Sequence, residues 1–354
     1  MAQPSAWSWT WSAAEPAAAC LAQSSAGVQR SPIGGIGRFW MSDGRWLLQT
    51  SDNGRRERQI QVCDELELFV DDRGWAGAPA LLHIHGGPGQ GCWDFMFAQG
   101  ELLARHLRVV GVDQRGCLRS DDAPMNELDQ ATLVRDYEVV RRALGVGQWT
   151  ILGHSAGGPT VLEYVSRHPE SVQAVILDNA VVDGEASTRH RMRKVASLFE
   201  LQSRSDLAAR ARGLAGRPEP IVDPQESIDL MHQLGGDYMS QFFHSDGGLR
   251  AWRAVMSACD LEPSLWERDV ARRPACRWSS RPDRHAREHR AAVFDDVGES
   301  DPITTPRQVE AHRGLHLGQQ HCFPATGHFA FLERPQEYAE VLTTWIAGLV
   351  AKVG

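Results

Sequence analysis

The chain has 354 residues, 42% of them hydrophobic and 23% charged, with a net charge of −8, so it can bury a sizeable core and is mildly acidic. That balance supplies no basic field for nucleic acid or anionic lipid, and no stretch approaches the ~18 apolar residues of a membrane helix, so neither nucleic acid nor membrane is expected as a partner. Seven cysteines, odd in number and without a C-x-x-C pair, argue against a disulfide framework or a metal site and fit a reducing, cytoplasmic setting.

Residues 1–57 read as an N-terminal extension, partly disordered. Its start is rich in Ala, Ser, Trp and Gly and has no basic segment ahead of an apolar run of about 7–15 residues, as a signal peptide requires. Trp7, Trp9 and Trp11 alternate as on a strand face; a flexible tail is the plainer reading. From residue 58 the pattern becomes regular. Gln59 to Val62 and Leu66 to Val70 read as a strand pair, Ala80 to His85 as a buried strand, Glu101 to His106 as the close of a helix, and Leu107 to Val112 as a strand ending at Asp113. A helix over Leu133 to Leu144, a strand over Thr150 to Leu152, a helix over Thr160 to Arg167 and a strand over Ala174 to Leu177 follow. Such alternation predicts an α/β fold with a mainly parallel sheet covered by helices on both faces, and ligands at the carboxyl ends of its strands.

Gly153-His154-Ser155-Ala156-Gly157 stands between a predicted strand and a predicted helix. This is the G-x-S-x-G pattern, in which a strained turn lifts the serine hydroxyl off the sheet edge. Side chains two positions before or after the serine would collide across so tight a turn, hence the glycines. Upstream, His85-Gly86-Gly87-Pro88-Gly89-Gln90-Gly91 follows a strand and leaves backbone N–H groups free for a developing oxyanion. The Gly87 and Ala156 N–H groups are the predicted donors; the plain alternative is a glycine-rich turn. The acid and base of such a site come in the chain order Ser, Asp/Glu, His. Asp301, in the loop Gly298 to Pro306, and His328, after the strand-like Gln319 to Phe323, meet that order, with Glu299 as reserve acid. His154 is expected to point away from the nucleophile. His83 and His85 lie in or at a buried strand.

Together the segments HGGPGQG (residues 85–91), DQRGCLRS (113–120), GHSAGG (153–158), GESDPITTP (298–306) and TGHFAFLERPQEY (326–338) resemble the proline iminopeptidase family of α/β-hydrolase serine peptidases, over roughly residues 58–183 and 291–350. The resemblance implies an α/β-hydrolase fold, nucleophile Ser155, acid Asp301, base His328, oxyanion donors Gly87 and Ala156, no metal or cofactor, and release of an N-terminal residue, often proline, from peptides or small amides and esters. The chain also departs from the family. His154 and Ala156 stand in an elbow that is usually G-G-S-W-G, and Leu118 stands where glycine is common. Met256 falls where the family's A-W-x-x-W-E pattern carries a glutamate for the substrate ammonium.

Residues 184–290 read as a mostly helical cap inserted before the acid, between core segments 58–183 and 291–354. Helices are predicted over Arg191 to Leu201, Ser227 to Leu234 and Leu249 to Ala258, with a turn over Gly213 to Pro224. Trp252, Met256, Phe242 and Phe243 line the inner face of the cap or form its own core. Residues 272–290 are a polar run dense in Arg and His where a buried strand would be expected; only Ala291 to Phe294 is strand-like, with Asp295 and Asp296 next. Three function classes follow: an aminopeptidase releasing an N-terminal residue, an esterase or thioesterase-like acyl hydrolase, and a non-catalytic binding protein on the same fold. The substrate partner is a small peptide, amide or ester; composition leaves the oligomeric state open.

Overall fold

The computed structural model describes residues 36–40, 46–50, 54–87, 90–181, 183–221, 225–259, 261, 291–305, 308–309 and 319–353. The readings of Trp7, Trp9 and Trp11 and of the run 272–290 lie outside the described residues. Within the stretch expected as an extension, β1 (Ile36–Trp40) and β2 (Trp46–Thr50) form an antiparallel pair. The main sheet contains β3 (Arg56–Cys63), β4 (Leu66–Arg73), β5 (Ala80–Ile84), β6 (Arg108–Val112), β7 (Trp149–His154), β8 (Val172–Asp178), β9 (Ala292–Gly298) and β10 (Gln319–Phe323). Its order is β10-β9-β8-β7-β5-β6-β4-β3. The pairs from β10 through β6 are parallel, and β4 is antiparallel to both β6 and β3.

The central strands are apolar throughout because both faces are covered. Side chains alternate across the sheet, so Leu81, Val109 and Leu152 enter one core layer while their neighbours Leu82, Val110 and Ile151 enter the other. The first layer is closed by α1 (Trp93–Leu103), α8 (Ala330–Glu333) and α9 (Pro335–Val353), through Phe95, Leu103, Phe331, Tyr338 and Leu342. The second is closed by α2 (Gln130–Ala143) and α3 (Gly157–Arg167), through Val134, Tyr137, Val140, Val161 and Tyr164. Between β8 and β9 lie α4 (Gly184–Leu201), α5 (Ser205–Gly216), α6 (Gln225–His232) and α7 (Asp246–Ser257). The first three share a separate core of Met192, Val195, Phe199, Leu207, Ala211, Leu214 and Leu230. Helix α7 packs instead on α1 and α8.

Three sequence expectations are corrected. The helix expected to close over Glu101 to His106 is α1, which ends at Leu103 and begins at Trp93. Its pattern is masked by the buried Gln99, whose amide donates to Phe331 O (2.7 Å) and Pro335 O (3.0 Å) and so reads as polar although it is core. The turn expected over Gly213 to Pro224 starts later, since α5 continues to Gly216. Asp295 and Asp296, read as ending a strand, are buried inside β9, where Asp296 pairs in register with Asp178. Burial and the adjacent Asp178 carboxylate push Asp296 well above the usual carboxylate range.

Candidate active site

Ser155 sits between β7 and α3 with φ of +51°, a left-handed conformation that costs a non-glycine residue about 1 kcal/mol or more. Three backbone hydrogen bonds hold it there. Its N–H donates to Asp178 O (3.0 Å), and its carbonyl accepts from Gly158 N (3.1 Å) and Val181 N (2.9 Å). The flanking glycines are required by close approach: a Cβ on Gly153 would lie 2.5 Å from Val161 Cγ2, and one on Gly157 would lie 2.4 Å from Ile84 O.

The loop after β5 lies directly on this turn. A Cβ on Gly86 would stand 2.9 Å from Ser155 Cβ and 3.1 Å from His154 Cδ2, so only glycine permits the approach. Gly87 follows with φ of +114°. His85 Nδ1–H faces Gly86 O at 2.9 Å and its Nε2 accepts from Gln114 N at 3.2 Å, which gives this histidine a bracing role. The buried Asp113 carboxylate accepts from Cys92 N (2.7 Å), just past the glycine run, and from Arg119 Nε (2.7 Å). Burial alone would raise Asp113, but Arg119 holds it below the usual carboxylate range. The DQRG segment therefore anchors the loop that approaches Ser155. Leu118 in that segment adopts φ of +39° and is buried, so it carries backbone strain at the position where glycine is common in the resembled family.

Asp301 and His328 come from the loops after β9 and β10. His328 Nδ1 donates to Asp301 Oδ1 at 2.9 Å, and Asp301 also accepts from Ile303 N (2.9 Å) and Thr304 N (3.1 Å). With Nδ1 protonated towards a carboxylate, Nε2 is left as the basic nitrogen. Burial holds His328 below the ordinary imidazole value, against the pull of Asp301, so it is a neutral base near pH 7. The backbone N–H of His328 donates to Phe242 O at 2.7 Å. Glu299, the reserve acid, is exposed and accepts from Ala325 N at 2.9 Å.

His154 packs close to the histidine loop. Its Nδ1 donates to Asp178 Oδ2 at 3.1 Å behind the turn, yet its ring centroid is only 4.8 Å from that of His328. Burial would lower His154, but Asp178 more than offsets this and raises it; Asp178, which burial would raise, is instead brought down to about 2 by His154. A buried His154–Asp178 hydrogen bond therefore lies beneath the site. Glu333 was missed. Its carboxylate accepts from His244 N (3.0 Å) and from Gly327 N (2.5 Å), the residue before His328, and so ties the segment leading into α7 to the histidine loop. The available signal was a carboxylate directly after the apolar run Phe329 to Leu332.

Of the four predicted lining residues, Phe242 approaches the histidine, with ring centroids 5.7 Å apart. Phe243 is core, stacked on Phe329 at 5.2 Å. Trp252 packs beside it at 6.4 Å with a buried, unpartnered Nε1, and Met256 is half-buried on α7. Among the described residues no group of three or more His, Cys, Asp or Glu could hold a metal, and no helix is long and apolar enough to cross a membrane.

The family model described as alpha/beta hydrolase fold matches residues 79–335. The chain belongs to the alpha/beta hydrolase fold family. Among curated relatives, the proline iminopeptidase of Neisseria gonorrhoeae is 35% identical over 120 residues, covering 33% of this chain and 38% of that one, so the match spans well under half of either protein. Among solved structures, the proline iminopeptidase-related protein of Thermus thermophilus superposes with a TM-score of 0.66 at 23% identity, covering 84% of this chain and 99% of that one. An esterase from Exiguobacterium antarcticum superposes with a TM-score of 0.58 at 20% identity, covering 82% and 100%. At these identities the structural matches establish the shared fold. The chain is thus related to proline iminopeptidases, with esterases on the same architecture.

Proposed function

We propose that the chain is a serine hydrolase of small amides or esters, with Ser155 as nucleophile, His328 as base, Asp301 as the group that orients it, and the Gly87 and Ala156 N–H groups as oxyanion donors. The observation that carries this reading is the 2.9 Å His328 to Asp301 hydrogen bond in loops beside a strained serine turn. In the resulting acyl transfer, Ser155 Oγ attacks the carbonyl carbon as its proton passes to His328 Nε2. The oxyanion rests on the two N–H groups, and the leaving amine or alcohol departs with that proton. Water, deprotonated by the same nitrogen, then releases the acid. Each oxyanion donor contributes roughly 10²–10³ in rate.

An aminopeptidase releasing an N-terminal residue follows the named relatives. An acyl esterase is favoured by Met256, since a thioether offers no charge to a buried ammonium. Both are tested by comparing wild type with Ser155→Ala on prolyl and alanyl arylamides, their N-blocked forms and short acyl aryl esters. Serine-dependent cleavage restricted to free-amine arylamides supports the aminopeptidase; ester turnover indifferent to the amine supports the esterase. Retention of most activity in Ser155→Ala would refute the mechanism.

A further inference from the structure

Four arginines enclosed in the main core each meet an aspartate: Arg73 with Asp71 (2.6 Å), Arg108 with Asp72 (2.9 Å), Arg115 with Asp136 (2.6 Å) and Arg119 with Asp113 (2.7 Å). Arg191, on α4, does not. Its Nε is shut off from solvent and has no hydrogen-bond partner, and no carboxylate among the described residues faces the guanidinium; Tyr238 is its one charged or titratable neighbour of consequence. Its neighbour Arg189, by contrast, pairs with Glu185 at 2.8 Å along the same helix. A guanidinium nitrogen shut off from water without a partner is costly, about 1–3 kcal/mol, while the rest of the group stays partly accessible. Burial accordingly holds Arg191 below the usual arginine value with no acid to oppose it.

Its location ties it to the site. Ser187, one helical turn earlier and on the same face of α4, accepts from Gln308 Nε2 at 3.0 Å. Gln308 in turn exchanges hydrogen bonds with Thr305, four residues after Asp301. Helix α4 also packs on the 3-10 turn Met239–Phe242. Tyr238, at the head of that turn, lies 6.0 Å ring to ring from Phe242, which adjoins His328. Arg191 therefore stands on the side of the cap that faces the Asp301 and His328 loops, partly accessible and uncompensated.

We propose that Arg191 binds a carboxylate of the substrate, so that the hydrolase acts on small anionic amides or esters. This rests on the Ser155 hydrolase reading for the reaction, though not for the binding. The carboxylate belongs either to the acyl part, as in a dicarboxylic monoester, or to the leaving group, as in the free C-terminus of a dipeptide.

The test measures kcat/KM for two matched pairs: an aryl monoester of glutaric acid against its neutral methyl diester, and alanyl-alanine against its C-terminal amide. Wild type should prefer the carboxylate member of one pair, and the pair shows which part carries the charge. Arg191→Gln should reduce that preference about 10–100-fold, as expected for loss of a charge-assisted hydrogen bond, and Arg191→Lys should retain part of it. A second measurement needs no turnover. Glutarate, or alanyl-alanine, should raise the thermal midpoint of Ser155→Ala, and the rise should vanish in Ser155→Ala/Arg191→Gln. A midpoint shift that depends on Arg191, with no turnover of any of the four compounds, would leave the anion site standing and sink the hydrolase reading. Turnover with no carboxylate preference, or a preference unchanged in Arg191→Gln, would overturn the anion site.

Discussion

Asp301→Asn tests how the histidine is held. The carboxylate receives three hydrogen bonds: His328 and Ile303 on Oδ1, and Thr304 on Oδ2. An asparagine has one acceptor oxygen and one donor amide, so a donor must face a donor whichever way it sits. With its oxygen towards His328, the imidazole keeps its tautomer but loses the negative charge that stabilises the imidazolium. At about 4 Å between charge centres and an effective dielectric near 20 that charge is worth about 4 kcal/mol, roughly 10³ in rate. With its amide towards His328, the tautomer is also reversed and the loss approaches ~10⁴. Either orientation leaves at least one buried backbone N–H unpaired, at about 1–3 kcal/mol of stability. The expected outcome is therefore a kcat reduced ~10³–10⁴-fold and a lowered urea midpoint, read with a short acyl aryl ester. His328 in the wild type titrates below 6.5, so activity should rise with pH on a limb below that value; without the raising effect of Asp301 the limb should move to still lower pH. Glu299→Gln serves as the control and should stay within a few-fold of wild type. An Asp301→Asn rate within tenfold of wild type would refute the assignment.

Ser155→Gly and Ser155→Ala should both be inactive, but the glycine variant should be about 1 kcal/mol more stable, because only glycine is unstrained at φ of +51°; equal denaturant midpoints would contradict the strained turn. Glu333→Gln places an amide donor against a backbone N–H of His244 or Gly327, so it should cost about 1–3 kcal/mol and shift the pH–rate profile as His328 is less firmly held; an unaltered midpoint and profile would remove Glu333 as a positioning residue. Burial raises Asp94 to about 6, so its folded pKa lies above the unfolded value of 3.8. The native state then binds the proton more tightly, and the associated stability is present below 3.8 and lost as pH rises through about 6. Asp94→Asn should consequently gain more in urea midpoint, relative to wild type, at pH 8 than at pH 4; equal differences at both would count against the raised value.

The elements that could be read from the chain are those set by local chemistry. Strands β5, β6 and β7 declare themselves as apolar runs because both their faces are covered, and the strained serine turn because no residue but glycine fits at positions 153 and 157. That Asp301 and His328 belong together was legible through chain order and turn composition, and their side chains do meet at 2.9 Å. Residues whose role comes from non-local neighbours were not. Gln99 and Asp296 look like surface positions, and only the packing of α8 and the register of β8 with β9 make them interior.

What the sequence by itself determined is the sheet with its helices, the turn at Ser155 and the order of the groups around it, since each follows from periodicity or from backbone sterics within a few residues. Tertiary structure decided which charges are compensated. It set His154 against Asp178 and 4.8 Å from His328, hung the histidine loop on Glu333, and left Arg191 with an unpartnered buried Nε and no acid among the described residues. The energy of a buried charge depends on which groups lie within a few ångströms of it and how far water is excluded, and those distances arise only when strands and helices remote in the chain are brought together.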